Sequence, residues 1–209
     1  ARCSINQYRI LFRTPIEFTN ESLLSCLNHE VQTHWLRRFN DRQQPWYPTP
    51  RTFEMLVTEE GIANLHSFVE KQDKFMTRTW LNYCALVFAL KYSFADTFSA
   101  LRDFGIDVEK AWRCTLQVKR GLEDTSKAGG NTKGLIYLHG AVRVWHWLSD
   151  AQHNPHDLYI GKIALEELEK KKESAEKSHL IFPTFFDNLT VYRQHIQEIG
   201  ELNQFGVLL

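Results

Sequence analysis

Asn28-His29-Glu30-Val31-Gln32-Thr33-His34 sits in a stretch whose apolar residues, Leu23, Leu24, Leu27, Val31, Trp35 and Leu36, recur at intervals of three and four. That spacing predicts an amphipathic helix. Thr19 or Asn20 is placed to cap it, and Glu21 suits its first turn. Before it, residues 5–13 alternate in part and are rich in strand formers, which predicts one strand. After it, Pro45, Pro48 and Pro50 break the helical pattern and predict an ordered loop over residues 41–52 that carries Trp46 and Tyr47.

The remaining chain reads as helix after helix. A second covers residues 58–71, with the option of an earlier start, and a third covers 77–103, with a break near Ser93 and a stop at Gly105. Asp107 caps a fourth that ends near Gly121, and a flexible loop over 126–131 precedes a fifth at 134–149. The charged segment 162–177 reads as a solvent-facing helix, and Pro183 opens a last one that runs to residue 201. The fold class is therefore mainly α, with a short N-terminal strand or small sheet.

At 209 residues the chain suits a single domain, 1–209, and its six Trp and fourteen Phe supply core material. A net charge of zero predicts neither a nucleic-acid partner nor attraction to a membrane. No apolar run reaches membrane-spanning length, and Ala1-Arg2-Cys3-Ser4 has no signal-peptide pattern. Cys3, Cys26, Cys84 and Cys114 are scattered, and read as reduced core thiols of a cytoplasmic protein. A first residue that is not Met and enters mid-strand suggests a piece of a longer protein.

The chemistry concentrates at residues 29–60. A hydrolytic zinc site needs three protein ligands, an open position for water, and a carboxylate that takes the proton of that water. The usual HExxH spacing works because residues four apart share a helix face. Here His29 and His34 are five apart, and a regular helix would set them about 140° apart around its axis. A π-type bulge or a kink absorbs the added residue, so this is either a modified metal helix or no metal helix. Downstream, Thr58-Glu59-Glu60-Gly61 offers two carboxylates, which the first turn of a helix would favour on electrostatic grounds alone.

The ordered blocks resemble a family. The run from His29 to Arg37, then Asn40, Gln43-Gln44-Pro45-Trp46 and Thr58-Glu59-Glu60-Gly61-Ile62-Ala63, is similar to the microtubule-associated tyrosine carboxypeptidases. Their bacterial relatives are named for a Gln-Glu-Gly-Leu-Ala motif. Lys119-Arg120-Gly121 and Thr132-Lys133-Gly134-Leu135-Ile136-Tyr137-Leu138 resemble the family's Arg-Gly and Thr-Lys-x-x-x-Tyr-Leu blocks. Two departures stand out: Val31-Gln32 replaces what is often Ile-Gly, and the 41–57 loop is shorter than in the animal enzymes.

The resemblance implies a helical zinc-metallopeptidase core that removes a C-terminal residue, tyrosine, from the tail of α-tubulin, with Zn²⁺ as cofactor and microtubules as partner. It matches His29 and His34 to the histidine ligands, Glu30 to the general base, and Glu60, rather than Glu59, to the third ligand. Arg120 and Lys133 are then candidates for the substrate carboxylate, and Tyr137 for the developing oxyanion. A zinc peptidase with another peptide substrate and a non-catalytic tubulin-binding module are the rival readings. His139 and His146 read as packing residues, with metal binding as the alternative, and His66 as a partly exposed histidine, with a supporting role near the metal as its alternative. Trp46 and Tyr47 either line a pocket for a tyrosyl ring or pack within their loop.

Overall fold

The computed structural model describes residues 3–5, 9–12 and 14–208. They form two compact units: residues 1–75 with 140–209, and residues 76–139. The fold is mainly helical. Among the described residues no helix is long and apolar enough to cross a membrane.

The first unit opens with two short antiparallel strands, β1 (Cys3–Ile5) and β2 (Ile10–Phe12), with Cys3 opposite Phe12. The expected single strand over 5–13 takes in the end of one strand and the whole of the other, antiparallel one; residues 6–8 and 13 lie outside the described ones. Helix α1 (Asn20–His29) is capped by Thr19, whose hydroxyl accepts from the Ser22 amide. The chain then passes through a π-helical turn, Glu30–Trp35, into α2 (Leu36–Asp41).

Helix α3 (Phe53–His66) begins five residues before the expected position 58. Thr52 caps it by accepting from the Met55 amide. Glu59 and Glu60 therefore sit in its second turn, not its first, and the helix dipole does not account for them. This helix is buried along most of its surface, from Met55 through His66, so it reads poorly as an amphipathic pattern.

Helices α4 (Thr77–Ala89), α5 (Phe94–Asp103) and α6 (Val108–Lys119) belong to the second unit. The expected helix over 77–103 is two, because Ser93 caps α5 by accepting from the Asp96 amide. Gly105 takes the left-handed conformation that ends α5 (φ 86°), and Asp107 caps α6. Ala85, Leu86, Ala89, Leu101, Ala111, Cys114 and Val118 make a continuous apolar core.

Helix α7 (Lys133–Ser149) ends in the first unit, which also holds α8 (Leu165–Lys171) and α9 (Leu189–Leu202). The charged segment 162–177 is helical only over α8, which buries Leu168 while exposing Glu166, Glu167, Glu169 and Lys170. After Pro183 comes a 3₁₀ turn, Thr184–Phe186, and α9 starts behind its Asn188 cap. All four cysteines are free thiols, Cys3 and Cys114 buried, Cys26 and Cys84 half-buried.

Candidate metal centre

The five-residue interval between His29 and His34 is closed by the π turn. Its widened pitch brings the two imidazoles onto one side, with their Nε2 atoms 3.3 Å apart. Glu60 reaches the same point from α3: its Oε2 lies 3.7 Å from His34 Nε2 and 4.0 Å from His29 Nε2. Tetrahedral zinc with bonds of about 2.0–2.1 Å spaces its ligand atoms by roughly 3.3–3.5 Å. The triangle is therefore of the size such an ion needs.

Hydrogen bonding on the far side of each ring fixes what faces the centre. Ser67 Oγ donates to the Ala63 carbonyl at 2.9 Å, so at 3.0 Å it accepts from His29 Nδ1–H. His34 Nδ1–H donates to Glu59 Oε1 at 2.7 Å. With both rings neutral, the Nε2 atoms carry lone pairs aimed at each other and at a carboxylate, an arrangement that repels itself unless a metal ion, or a proton on His34, lies between. The donor set of two imidazoles and one carboxylate suits zinc. Burial, with the neighbouring His34, pushes the His29 pKa down to about 4, so this imidazole is neutral and free to ligate. For His34 burial works the same way, but the hydrogen bond and charge of Glu59, helped by Glu60, outweigh it and raise the pKa.

Glu59 and Glu60 are adjacent yet occupy different environments. Glu59 is buried; its Oε1 accepts from His34 and from Lys162 Nζ at 2.8 Å, and its Oε2 pairs with Arg37 Nη1. Burial alone would raise its pKa, but Arg37, Lys162 and His34 hold it well below the usual carboxylate range. Between the two expected ligands, the structure brings Glu60 to the histidines' Nε2 atoms and Glu59 to the outer nitrogen of His34. Glu30, on the first residue of the π turn, has its pKa raised by burial, while the charge of His34 pulls the other way.

Gly61 has a physical reason to follow Glu60. A Cβ there would fall inside the backbone of Gly140, and a Cβ on Gly140 would strike the Val57 carbonyl. Helices α3 and α7 cross backbone to backbone at this pair, which holds Glu60 at a fixed height.

The other motif residues serve the scaffold. Arg37 is fully buried, and donates from Nε to the Leu158 carbonyl (2.8 Å) and from Nη2 to those of Gly161 (3.0 Å) and Ile163 (3.1 Å). Asn40 Nδ2 donates to the Tyr159 and Ile181 carbonyls, each at 2.8 Å, and its Oδ1 accepts from the Ile181 amide. Gln44 exchanges two bonds with the backbone of Glu176. Together they strap residues 158–181 across α2. Sequence reading did not assign these roles, because the partners are backbone groups more than a hundred residues away.

His139, expected to pack, is exposed, and His66 departs the other way. It is fully buried rather than partly exposed, bonded to Thr33 Oγ1 at 2.8 Å and to the Tyr192 hydroxyl at 3.0 Å. Burial pushes its pKa down to about 3. Trp46 lies under the Lys171 ammonium, 5.0 Å from ring centroid to Nζ, and Tyr47 is exposed. Arg120, Lys133 and Tyr137 belong to the second unit: Arg120 and Lys133 are exposed, Tyr137 half-buried. Lys119, beside Arg120, is instead buried, and its ammonium donates to the carbonyls of Ala89 (3.1 Å), Tyr92 (2.5 Å) and Lys127 (2.9 Å).

Comparison with known proteins agrees with the motif reading. The family model described as microtubule-associated tyrosine carboxypeptidase matches residues 1–206. Microtubule-associated tyrosine carboxypeptidase 1 of Rattus norvegicus is 31% identical over 189 residues, and that of Homo sapiens 30% over 187; both alignments take in 87% of this chain and 40% of the relative. MATCAP2 of Homo sapiens is 31% identical over 187 residues, 87% of this chain and 36% of its own length. The chain thus spans well under half of these relatives. It belongs to the microtubule-associated tyrosine carboxypeptidase family.

Proposed function

We propose that this chain carries the active centre of a zinc-dependent carboxypeptidase that removes a C-terminal tyrosine from a protein tail, α-tubulin being the substrate that the relatives' names favour. The observation that carries the reading is the convergence of His29 Nε2, His34 Nε2 and Glu60 Oε2 at 3.3–4.0 Å, with both outer ring nitrogens already engaged. These three side chains would hold zinc. When bound, it supplies a Lewis acid and lowers the pKa of a water.

The chain's own residues do the rest. Glu30 takes a proton from the attacking water and delivers it to the leaving amine, a role its raised basicity suits. Ser67 and Glu59 keep the imidazoles in the Nδ1–H form, so that neither ring donates toward the centre. Arg120 or Lys133 would receive the substrate carboxylate, and Tyr137 the oxyanion; for these three the support is the family resemblance alone. The partner is the microtubule, and the setting cytoplasmic.

Elemental analysis after desalting should find one zinc per chain, and His34→Ala should lose it. Glu60→Gln should weaken zinc by more than Glu59→Gln, whose loss is about 10–100-fold as for other orienting partners. Glu30→Gln should keep zinc and abolish tyrosine release from a peptide ending in acidic residues and tyrosine. Zinc-free, folded wild-type protein would end the enzyme reading, and equal cleavage of free-acid and amidated peptides would end the carboxypeptidase one.

A further inference from the structure

The π turn does work that a regular helix cannot, and it has to be held in place. Such turns are rare, marginal distortions of an α-helix. This one is pinned by buried side chains that touch none of the three metal-facing atoms. Thr33, fully buried, donates its hydroxyl hydrogen to the Asn28 carbonyl at 2.8 Å, the residue just before His29. Having spent that hydrogen, Thr33 Oγ1 can only accept from His66, so the proton sits on His66 Nδ1 (2.8 Å). His66 Nε2 then accepts from the Tyr192 hydroxyl at 3.0 Å. The Tyr159 hydroxyl donates to the Gln32 carbonyl at 2.7 Å, just before Thr33. The turn is thus tied at its entry and at its middle, within a wall of rings; Phe185 lies 4.7 Å from the His66 ring, centroid to centroid.

The chain of donors has a direction: Tyr192 to His66, His66 to Thr33, Thr33 to the backbone. His66 ends the helix that carries Glu60, and Thr33 lies in the turn that carries His34. We propose that Thr33 and His66 are positioning residues, a clamp that holds the π turn and locks its two histidines in register with Glu60. The proposal rests on the zinc reading of the site for its consequence, but not for the clamp itself. Without the clamp, the segment relaxes toward a regular helix that swings His34 away from His29.

The test measures two things on purified protein. Amide hydrogen exchange over residues 28–36 is followed in metal-free protein, and zinc affinity is measured by competition with a chromophoric chelator. Thr33→Val keeps the shape and removes the hydroxyl; Thr33→Ser restores it; His66→Phe removes the donor. Thr33→Val and His66→Phe should each speed exchange in that segment at least about tenfold and weaken zinc at least about tenfold, while Thr33→Ser behaves as wild type for both. Exchange elsewhere in the first unit reports whether a variant is generally loosened, and a uniform rise would overturn the clamp. Wild-type exchange in Thr33→Val, or faster exchange with unchanged zinc affinity, would also overturn it. A wild type that takes no zinc but shows the expected exchange pattern would keep the clamp and remove the metal reading.

Discussion

Arg37 and Lys119 are both cations with almost no exposed surface, one in each unit, and they are satisfied in different ways. Arg37 meets a buried carboxylate, Glu59, besides three backbone carbonyls, and that carboxylate in turn orients His34. Lys119 is bonded to carbonyls alone, at the end of α4, at Tyr92 and in the 120–131 loop, and these bonds hold chain segments together. A buried charge matched by a counter-charge that touches a further titratable side chain marks a candidate chemical centre, whereas bonds to backbone alone point to scaffold. The difference is why the first unit, and not the second, reads as the place where a reaction is prepared.

Replacing Arg37 is the strongest way to break this comparison. Arg37→Met removes the partner of a buried carboxylate and four donors at once, and should cost about 3–5 kcal/mol of stability in urea unfolding. It should also weaken zinc, because Glu59 loses its anchor. Lys119→Met leaves three carbonyls without their donor, and should cost about 1–3 kcal/mol. It should leave zinc affinity as in wild type. If Lys119→Met changes zinc affinity as much as Arg37→Met does, the division into a chemical and a scaffold charge is wrong.

The motif that set the fold class was legible because both its period and its irregularity were in the letters. Spacing of three and four marked α1, and the five-residue interval between histidines left a π-type bulge, a kink or no metal helix, of which the structure has the first. Asp107 was legible as a cap, Thr19 as one of two candidates with Asn20, and the break near Ser93 is where Ser93 caps α5. The start of α3 was missed because a helix buried nearly all round has no apolar stripe to count. That error in turn gave Glu59 and Glu60 a bland explanation. The division of labour between those two carboxylates was unreadable, since it depends on Arg37 and Lys162, and Lys162 lies in a strapped loop a hundred residues on. His66 read as partly exposed because the rings that cover it are remote in sequence; only the return of Tyr159, Phe185 and Tyr192 buries it.

Acid should separate the units further. His29 and His66 have pKa values of about 4 and about 3 in the folded state, below the ordinary 6.5. Their folded pKa is depressed, so the unfolded chain takes up protons first, and stability present above pH 6.5 is lost as pH falls. His34 is raised, so its contribution changes only above 6.5, and Glu30, raised by burial, opposes the loss toward the acid end. Urea unfolding of metal-free protein should lose about 1.4 kcal/mol per pH unit for each of the two histidines between pH 6.5 and about 5. Half that slope would mean that one of these imidazoles is charged in the fold, and a flat profile that both are.

The smallest effect belongs to Lys162, and it tests how much of the Glu59 arrangement is needed. Lys162 Nζ lies 2.8 Å from Glu59 Oε1, the same oxygen that accepts from His34, but its side chain is 24% exposed where Arg37 is fully buried. Water therefore replaces part of what the ammonium gives, and the pair is screened as partly exposed pairs are. Its backbone amide is held independently by Asp41 Oδ1 at 2.9 Å, so removing the charge leaves the loop in place. Lys162→Met should cost no more than about 1 kcal/mol of stability. Glu59 would still be pinned through Oε2 by Arg37, and Oε1 would turn wholly to His34, so zinc affinity should change by no more than a few-fold. A loss of zinc as large as that of Glu59→Gln would mean that Lys162, rather than Arg37, sets the orientation of this carboxylate.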